Sequence, residues 1–425
     1  MNAQDFAAGA LVLGILLGGT ALRSRFPRVP LWSVMMLCTA VTLVTDLVPV
    51  DEAMALVDLD VITLLIGMFA LVGMAERSGL LDFLAYYFLS RLGTTRSIVV
   101  GSALLFGLMS AFFVYDTVAL MGPPIAVTIG RVLGGNYEFA FLLLCFSITI
   151  GSTMTPIGNP QNVLIAIQSG MRAPFVEFMI HLAVPTLLSL VIAALLMARL
   201  YRLPNVGSQV VVSPWEAIRS RREFALALVG GGVTVAVLVV NDVNAALGLP
   251  HVAARGLIPF TAAAALIAFT EGPREVLARV DFGTILFFIG MFITVEGIWR
   301  SGVLQPVFSA LLLDNPSTPL GLASLAVLSL VMSQLVSNVP YTKLAIHQLR
   351  ELGVTGAETD VWVTLAAAAT LAGNLTILGA ASNVIVLEVL ESRYGTTISY
   401  GRFAKVGGLV TAVTVPLFLL YLVLL

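Results

Sequence analysis

The sequence predicts an all-α polytopic membrane protein made of two inverted repeats, and three observations carry this prediction. Hydrophobic residues make up 59% of the 425 residues and charged residues only 11%, with a mean hydropathy of +1.01, far from the balance of a soluble domain. Many apolar stretches reach the roughly 20 residues that cross a bilayer. The chain also repeats itself: GMFALVGMAERSG at 67–79 returns as GMFITVEGIWRSG at 290–302, and TPIGNPQNV at 155–163 returns as TILGAASNV at 376–384.

Ten crossings are predicted, five in each half of the chain. In order, they lie near 7–22, 30–49, 60–76, 137–168, 176–199, 224–241, 252–270, 281–299, 359–390 and 404–425. Because five is an odd number, the second half must run upside down relative to the first. The predicted organisation is a first repeat over 1–200, a cytoplasmic linker over 201–223 and a second repeat over 224–425.

Each repeat also contains one predicted helical hairpin that enters the membrane and returns on the same side. The apolar stretches 97–130 and 318–349 are interrupted midway by polar residues or proline. Irregular backbone at that depth is tolerated only inside protein or beside a wet cavity. Short segments before the hairpins, 80–92 and 303–313, are predicted to lie along the interface. The crossings after the hairpins, 137–168 and 359–390, are predicted to be helices broken at mid-membrane.

The placement of arginines orients these elements. Arginines follow the first crossing, fill the linker and precede the eighth crossing, and all fall on one side: Arg23, Arg25, Arg28, Arg199, Arg202, Arg219, Arg221, Arg222, Arg274 and Arg279. The positive-inside rule assigns that side to the cytoplasm, whereas the loop 48–58 carries acids and no base. The sequence therefore predicts a multi-pass protein of the inner (plasma) membrane with both termini outside.

Composition excludes several classes of function. The net charge of -2 leaves no basic footprint for nucleic acid. The sequence has no Walker motif, nucleophile elbow or HExxH motif, and its three histidines are scattered. Cys38 and Cys145 lie in apolar segments as buried thiols. No cofactor is expected beyond a coupling ion, Na⁺ or H⁺, and the expected partners are the lipid bilayer and a small solute.

In the first half, polar residues concentrate at the hairpin tip and in the broken crossing. Asp116 and Thr117 lie mid-hairpin, where a carboxylate is costly and by default functional. The alternative is an Asp116 that is protonated or capped by amides and only shapes the tip. In GSTMTPIGNPQN (151–162), prolines and glycines interrupt the helix. The oxygens of this segment suit Na⁺ and its half-helix N-termini suit an anion; the alternative is a simple kink.

In the second half, Ser337 and Asn338 come directly before Val339 and Pro340, where a helix should stop. Lys343 follows about a turn and a half later. It would reach an anion or Asp116 if it lies near the tip, and otherwise it snorkels toward an interface. The broken crossing AGNLTILGAASNV (372–384) offers polar side chains, and glycines that permit unwinding.

Two sets of site residues are predicted from these segments. The substrate set is Asp116, Thr117, Asn159, Ser337, Asn338, Lys343 and Ser382. The Na⁺ set is Ser152, Thr153, Thr155, Gly158, Asn162, Asn338, Asn374, Thr376, Gly379 and Asn383. Asp116 is also the candidate for proton coupling. Glu296, inside a predicted crossing, is either a structural partner of Arg300 four residues later or part of a proton relay.

At these motifs the sequence resembles the ion transporter superfamily, which includes the divalent anion:sodium symporters, the arsenite efflux permeases and the NhaD-type sodium/proton antiporters. GNLTILGAASNVIVLE (373–388) and SNVP (337–340) are most similar to its bacterial and archaeal "anion permease" members. The resemblance implies a scaffold part and a transport part in each protomer, a homodimer and elevator-type movement. It also implies that Ser-Asn-Thr at the tips contacts substrate carboxylates, and that the tips and unwound helices hold sodium.

The two tips depart from the symporter pattern. The second reads Ser337-Asn338-Val339, without the threonine, and the first has Tyr115-Asp116, with an acid as in the arsenite permeases and antiporters. The sequence is therefore interpreted as a secondary active transporter that moves a small anion coupled to Na⁺ or H⁺. The alternatives within transport are a sodium/proton antiporter and an arsenite or antimonite efflux permease. The alternative of another class is an ion channel, which would show unitary currents; a membrane enzyme lacks a catalytic cluster.

Overall fold

The computed structural model describes residues 3–26, 29–204, 213–395 and 397–425, and every regular element in these ranges is helical. Nine of the described helices are long and apolar enough to cross a membrane. The predicted all-α membrane fold is confirmed. Arg28 and linker residues 205–212, on which part of the predicted orientation rests, lie outside the described residues.

The first half of the chain contains ten α-helices. In chain order they are α1 (Ala3–Arg25), α2 (Leu31–Val44), α3 (Val50–Ala53), α4 (Leu59–Ser78), α5 (Leu80–Leu89), α6 (Thr95–Phe113), α7 (Tyr115–Val132), α8 (Tyr137–Gly151), α9 (Pro160–Gln168) and α10 (Pro174–Tyr201). The predicted hairpin is the pair α6 and α7. The predicted broken crossing is α8 followed by α9, with an irregular stretch between them.

The second half repeats the same order of elements. Its helices are α11 (Arg221–Ala246), α12 (Leu257–Ile267), α13 (Pro273–Leu277), α14 (Phe282–Ser301), α15 (Gln305–Leu311), α16 (Pro319–Val336), α17 (Asn338–Glu351), α18 (Thr359–Leu371), α19 (Ala381–Tyr394) and α20 (Tyr400–Leu424). The hairpin is now α16 and α17, and the broken crossing is α18 followed by α19. The short helices α5 and α15 occupy the predicted interfacial segments.

The repeated GMF…RSG sequence has a structural cause. It forms α4 and α14, and each of these ends at a glycine with left-handed backbone, Gly79 at φ +82° and Gly302 at φ +70°. A side chain would strain that conformation. Earlier in the motif, a Cβ on Gly67 would lie 2.4 Å from the backbone of α12, and one on Gly290 would lie 2.7 Å from a threonine hydroxyl of α2. The motif therefore lets each half pack one helix closely against the other half.

The two hairpins enter the protein from opposite faces. The linker face is the face that carries residues 76–82, 214–223 and 270–281, which are joined by ion pairs such as Arg279 with Glu76. Helix α6 starts at this face, where Thr95 Oγ1 donates to Pro204 O at 2.8 Å. Helix α17 ends at the opposite face, where Arg350 donates to the carbonyl of Gln168. The hairpins thus have opposite orientations, as an inverted repeat requires.

Each hairpin turns at a single residue in an unusual conformation. Val114 has φ +61° and Ser337 has φ +72°, and non-glycine residues seldom adopt positive φ. The second arm of each hairpin begins at the next residue, and neither arm has a side-chain cap. The N-termini of α7 and α17 therefore bring backbone N–H groups without side-chain caps to the two tips.

Packing divides the helices into two groups. In the first group, α1, α2, α4, α11, α12 and α14 pack on one another. In the second group, the hairpins and the broken helices pack with α10 and α20. This division matches the scaffold part and the transport part that the family resemblance implies. We use these two names below for the two groups.

Two crossings are shorter than the sequence suggested. The second, predicted over 30–49, is helical only to Val44, because Asp46 turns the chain at φ +57° and Pro49 caps the next short helix. The seventh, predicted over 252–270, is helical only over Leu257–Ile267. Neither has the length of a full crossing on its own. The nine long helices include the first hairpin arms α6 and α16, so their number is not a count of crossings.

Cysteine labelling provides a test of the predicted orientation. Ser213 is exposed on the linker face and Leu247 is exposed at the far end of α11. We expect an impermeant thiol reagent to reach Ser213→Cys only from the cytoplasm and Leu247→Cys only from outside. Cys38 and Cys145 are fully buried, so they should not contribute to the signal. Labelling of both positions from one side would contradict a membrane crossing by α11.

Candidate functional site

The two hairpin tips and the second broken helix meet at one cavity, which we call the tip cavity. It has a volume of about 290 Å³, near the lower end of the range of about 300–1,000 Å³ typical of small-molecule sites. The transport part contributes Tyr115, Asp116, Pro160, Ser337, Asn338, Val339, residues 378–381, Val384, Ile385 and Glu388. The scaffold contributes residues 30–32, Asp281, Gly283, Thr284, Phe287 and Phe288. The cavity therefore lies between the two parts, on the linker-face side.

Among the residues that the structure describes, every charged side chain that lines the tip cavity is acidic. Asp281 and Glu388 are exposed, whereas Asp116 is partly buried, and the described lining contains no lysine or arginine. Asp281 also holds the start of α14, accepting from Thr284 N at 3.0 Å. Asp116 Oδ1 is buried and has no hydrogen-bond partner among the described residues. The amide capping that would make Asp116 a purely structural residue is therefore absent at that oxygen.

The first tip is fixed to the first broken helix. Tyr115 N donates to Gly158 O at 2.9 Å, and Thr155 Oγ1 donates to Ala111 O just before the tip. No corresponding bond joins Asn338 N to the second broken helix in the described ranges. The first tip is therefore bound at its backbone on both sides of the turn, and the second tip is not.

In the irregular stretch of the first broken helix, backbone carbonyl oxygens accept hydrogen bonds from side-chain amides of the same segment. Asn162 Nδ2 donates to Ser152 O at 3.1 Å and to Thr155 O at 3.1 Å, with a longer bond to Thr153 O. Asn159 Nδ2 also donates to Ser152 O, at 3.0 Å. Carbonyl oxygens that a cation would need are thus already bonded to side-chain amides. This favours a structural role for most of the first-half Na⁺ set.

The second broken helix is less fully bonded. Asn383 Nδ2 donates to Gly373 O at 2.7 Å and to Thr376 O at 3.3 Å, which repeats the Asn162 arrangement in part. Several buried oxygens at this helix and the second tip have no partner in the part of the chain that the structure describes: Asn338 Oδ1, Asn374 Oδ1, Ser382 Oγ and Asn383 Oδ1. Unpartnered buried oxygens also occur elsewhere in the described chain, for example at Gln161 Oε1 and Ser102 Oγ. Those at the second broken helix and the second tip match the hard oxygen ligands that Na⁺ takes in broken-helix transporters.

One threonine connects the two broken helices. Thr370 on α18 accepts from Asn159 Nδ2 and from Gln161 Nε2, each at 3.2 Å, and donates to Asn162 Oδ1 at 3.4 Å. In the second half, Gln334 on α16 accepts from Thr376 Oγ1 at 2.7 Å. The Thr370 bridge is buried and the Gln334 bridge is partly buried, and together they hold the broken segments in register within the transport part.

The structure brings together only part of the predicted substrate set. Asp116, Ser337 and Asn338 line the tip cavity, as does Gly379 from the Na⁺ set. Four others lie outside its lining: Thr117, Asn159, Ser382 and Lys343. Thr117 is adjacent to Asp116, and Asn159 is occupied with its own loop.

Lys343 has a different environment from the one expected near the tip. Its Nζ donates to Gln168 Oε1 at 2.8 Å, and Gln168 in turn donates to Asp58 Oδ2 at 2.8 Å. Nζ also lies 5.7 Å from the centre of the Phe292 ring. Lys343 therefore connects α9 and α17 to the scaffold near the opposite face. It does not supply a positive charge to the tip cavity.

A second set of contacts closes the protein at the opposite face. Glu296 of the scaffold accepts from Arg300 at 2.9 Å and lies 3.5 Å from His347 of the transport part. The imidazole of His347 stacks on Trp299, with ring centres 5.4 Å apart. The predicted Glu296–Arg300 pair is present, and His347 of the transport part lies close to Glu296 without a hydrogen bond at Nε2 among the described residues. We call the contacts of Glu296, Trp299 and His347 the opposite-face latch.

Sequence reasoning missed several residues of the site. Asp281 and Glu388 line the cavity, but they are far from either tip in sequence; no motif includes Asp281, and Glu388 ends the motif 373–388 without being selected from it. Gln161 and Gln334 were missed as well, although each is a polar residue inside an apolar motif. That signal could have identified them. Thr370 sits in an alanine-rich stretch and gave no signal of its bridging position.

The fold and the site together define a membrane transporter with paired hairpins and broken helices. The chain belongs to the CitMHS family, whose description is "Citrate transporter". The family model matches residues 13–367. It is 30% identical over 378 residues to an uncharacterized transporter of Mycobacterium tuberculosis, covering 86% of each chain. It is 24% identical to the silicon efflux transporter LSI3 of Oryza sativa subsp. japonica, covering 88% of this chain and 89% of that one.

A solved structure has the same fold. The YdaH transporter of Alcanivorax borkumensis matches with a TM-score of 0.55 and 14% identity, covering 85% of this chain and 84% of that chain. At this identity the likeness supports the fold alone. The membership in an ion transporter group that the sequence motifs predicted is confirmed.

Proposed function

We propose that this protein is a secondary active transporter that moves a small anion together with a cation, Na⁺ or H⁺. One observation carries the proposal. Both hairpin tips and the second broken helix converge on a cavity whose described charged side chains are all acidic. An anion in this cavity is repelled most strongly by the partly buried carboxylate of Asp116, where solvent screening is weakest, so it binds there only together with a positive partner. Obligatory co-binding of this kind is the physical basis of symport.

The N–H groups at the tips supply the other half of the anion site. The uncapped N-termini of α7 and α17 meet at the cavity, and helix N-termini favour negative groups. The volume of about 290 Å³ restricts the substrate to a small molecule or inorganic oxyanion. Citrate, the substrate in the family's description, is one candidate of suitable size.

The coupling ion is proposed to bind at the second tip and the second broken helix. The unpartnered side-chain oxygens of Asn338, Asn374, Ser382 and Asn383 support this placement. Asp116 faces the same cavity from the first tip and is the proposed group that binds H⁺ or contributes charge to a Na⁺ site. Elevator movement of the transport part against the scaffold is supported by the division of the helices into two groups.

A second candidate is proton-driven export of a weak oxyacid. An uncharged acid meets no repulsion from Asp116, Asp281 and Glu388, so the all-acidic lining is compatible with it without a bound metal cation. The rice relative is named as a silicon efflux transporter. Dissolved silicon at neutral pH is silicic acid, an uncharged weak oxyacid. This candidate predicts dependence on a pH gradient and none on Na⁺.

Flux into proteoliposomes distinguishes these functions. We expect labelled citrate or a small oxyanion to accumulate only when an inward Na⁺ or H⁺ gradient is imposed. Saturable uptake with a fixed ion-to-substrate ratio identifies a symporter. Export of silicic or arsenous acid that is driven by an inward H⁺ gradient, with no citrate uptake, would instead support the second candidate. Unitary currents without gradient-driven accumulation would contradict both and indicate a channel.

The proposed Na⁺ site is tested by a substitution that breaks no internal bond. Ser382 Oγ is buried and without a partner in the described ranges, so Ser382→Ala should fold normally. If Ser382 is a ligand, the Na⁺ concentration for half-maximal thermal stabilisation should rise by about tenfold, as ~1.4 kcal/mol of lost binding implies. NaCl titrations against choline chloride, followed by thermal unfolding, measure this change.

Ser102→Ala is the matched control for that experiment. Ser102 on α6 is also fully buried and unpartnered, but it is not part of the proposed site. The control should keep the wild-type Na⁺ midpoint. An unchanged midpoint in Ser382→Ala would remove this residue from the ion site. A wild type that responds to pH and not to Na⁺ would identify H⁺ as the coupling ion.

A further inference from the structure

A large groove lies on the transport part, away from the tip cavity. It has a volume of about 660 Å³ and runs between the start of α6 and the end of α10 at the linker face. Its lining is Thr95, Arg96, Val99, Ile192, Leu195, Leu196, Ala198, Arg199, Leu203 and Pro204. Thr95 Oγ1 bonds to Pro204 O at 2.8 Å and closes one end of the groove. The proposed transport mechanism assigns no role to this groove.

The groove combines two basic side chains with an apolar floor. Arg96 and Arg199 are both exposed, and neither has an ion pair or side-chain hydrogen bond in the part of the chain that is described. Several other arginines near this face have carboxylate partners, as Arg77 does with Glu223 and Glu275. The two groove arginines therefore keep their full capacity to bind an anionic group.

The arrangement matches the chemistry of an anionic phospholipid. A phosphate has the charge and geometry that guanidinium groups recognise, and the apolar floor continues from the arginines toward the middle of the bilayer along Ile192 and Val99. A soluble anion would use the arginines but would leave this floor wet. A zwitterionic lipid would fill the floor but would gain less from two unpaired positive charges. Basic pockets between helices on the cytoplasmic side are a known form of lipid recognition.

We propose that the groove between α6 and α10 binds one anionic phospholipid, with its phosphate between Arg96 and Arg199 and an acyl chain along Val99, Ile192 and Leu195. The lipid links the first arm of the first hairpin to the helix that leads into the linker. It belongs to the leaflet at the linker face. This site is separate from the tip cavity and does not depend on which ion or substrate is transported.

Lipid titration of the purified, delipidated full chain provides the test. The readouts are thermal stabilisation and lipid retention in native mass spectrometry, with phosphatidylglycerol compared to phosphatidylcholine. Wild type should prefer phosphatidylglycerol. The double variant Arg96→Gln/Arg199→Gln should bind it about 25-fold more weakly, at roughly fivefold for each basic residue. Ala198→Phe keeps both arginines but fills the groove, so it should also lose the lipid.

The matched control removes two arginines from the same face outside the groove. Arg221 and Arg274 are exposed and carry no ion pair among the described residues, so Arg221→Gln/Arg274→Gln should keep the wild-type preference. Equal loss in this control would show a general charge effect and overturn the proposal. A wild type without preference for the anionic lipid would overturn it too. Competition by millimolar inorganic phosphate would point to a soluble-anion site and would also refute the lipid assignment.

Discussion

Replacing Asp116 by asparagine is expected to abolish ion-coupled transport while leaving the protein folded. The substitution keeps the size of the side chain and removes only its charge and its proton. Asp116 Oδ1 has no hydrogen-bond partner in the described structure, so no internal bond is lost. We expect coupled uptake to fall by at least about tenfold, the factor that ~1.4 kcal/mol of lost ion binding produces. Proteoliposomes with an imposed Na⁺ or pH gradient measure this change.

The pH profile separates a coupling role for Asp116 from a structural one. If Asp116 binds the proton or the ion, its removal should flatten the dependence of flux on pH, because the titrating group is gone. Glu388→Gln is the control, since Glu388 lines the same cavity but is exposed to solvent, where its charge is screened. The control should change flux only modestly. Wild-type rate, ion dependence and pH profile in Asp116→Asn would show that this carboxyl group has no part in coupling.

The backbone features of the site could be predicted because they follow from local chemistry. Val114 and Ser337 lie where polar residues or proline interrupt an apolar stretch, and both are the turning points of their hairpins. Pro156 and Pro160 stop the fourth crossing for a similar reason: a proline removes an N–H donor and blocks the preceding turn. These signals depend on neighbours in sequence, so a single sequence contains them.

The side-chain features could not be predicted in the same way. Lys343 is six residues beyond Ser337, and a helix rises about 1.5 Å per residue. Its backbone therefore lies about 9 Å from the tip along the helix axis. Only the tertiary structure shows that Gln168 is its partner. Asp281 reaches the tip cavity because α14 packs beside α2. Such contacts depend on packing between segments that are distant in sequence, and no local sequence pattern predicts them.

The difference between the two broken helices illustrates the same limit. The predicted Na⁺ set takes residues from both broken helices, in which Asn162 and Asn383 occupy matching positions. In the structure, Asn159 adds bonds to the first loop, and the second half has Ala380 at the matching position. The carbonyl of Gly373, which matches that of Ser152, accepts from Asn383 alone. The amide oxygen of Asn162 accepts from Thr370, whereas that of Asn383 has no partner in the described structure, so the two halves differ although their asparagines match.

Cross-linking the opposite-face latch is expected to stop transport completely. The latch joins Glu296 on scaffold helix α14 to His347 on α17 of the transport part, 3.5 Å apart. In the structure the tip cavity lies toward the linker face, and this contact lies at the other face. If the transport part moves against the scaffold, the latch must open in every cycle. A Glu296→Cys/His347→Cys pair, joined by a short bis-thiosulfonate reagent, should lose flux and regain it on reduction.

A cross-link within the scaffold serves as the matched control. Glu52 and Arg300 form an ion pair of 2.9 Å at the same face, but both belong to elements that pack with the scaffold. Glu52→Cys/Arg300→Cys, treated with the same reagent, should keep most of its flux, because no moving boundary is joined. Cys38 and Cys145 are buried and should not react. Full flux in the cross-linked Glu296/His347 pair would mean that these two helices do not separate during transport, and the elevator mechanism would have to be abandoned.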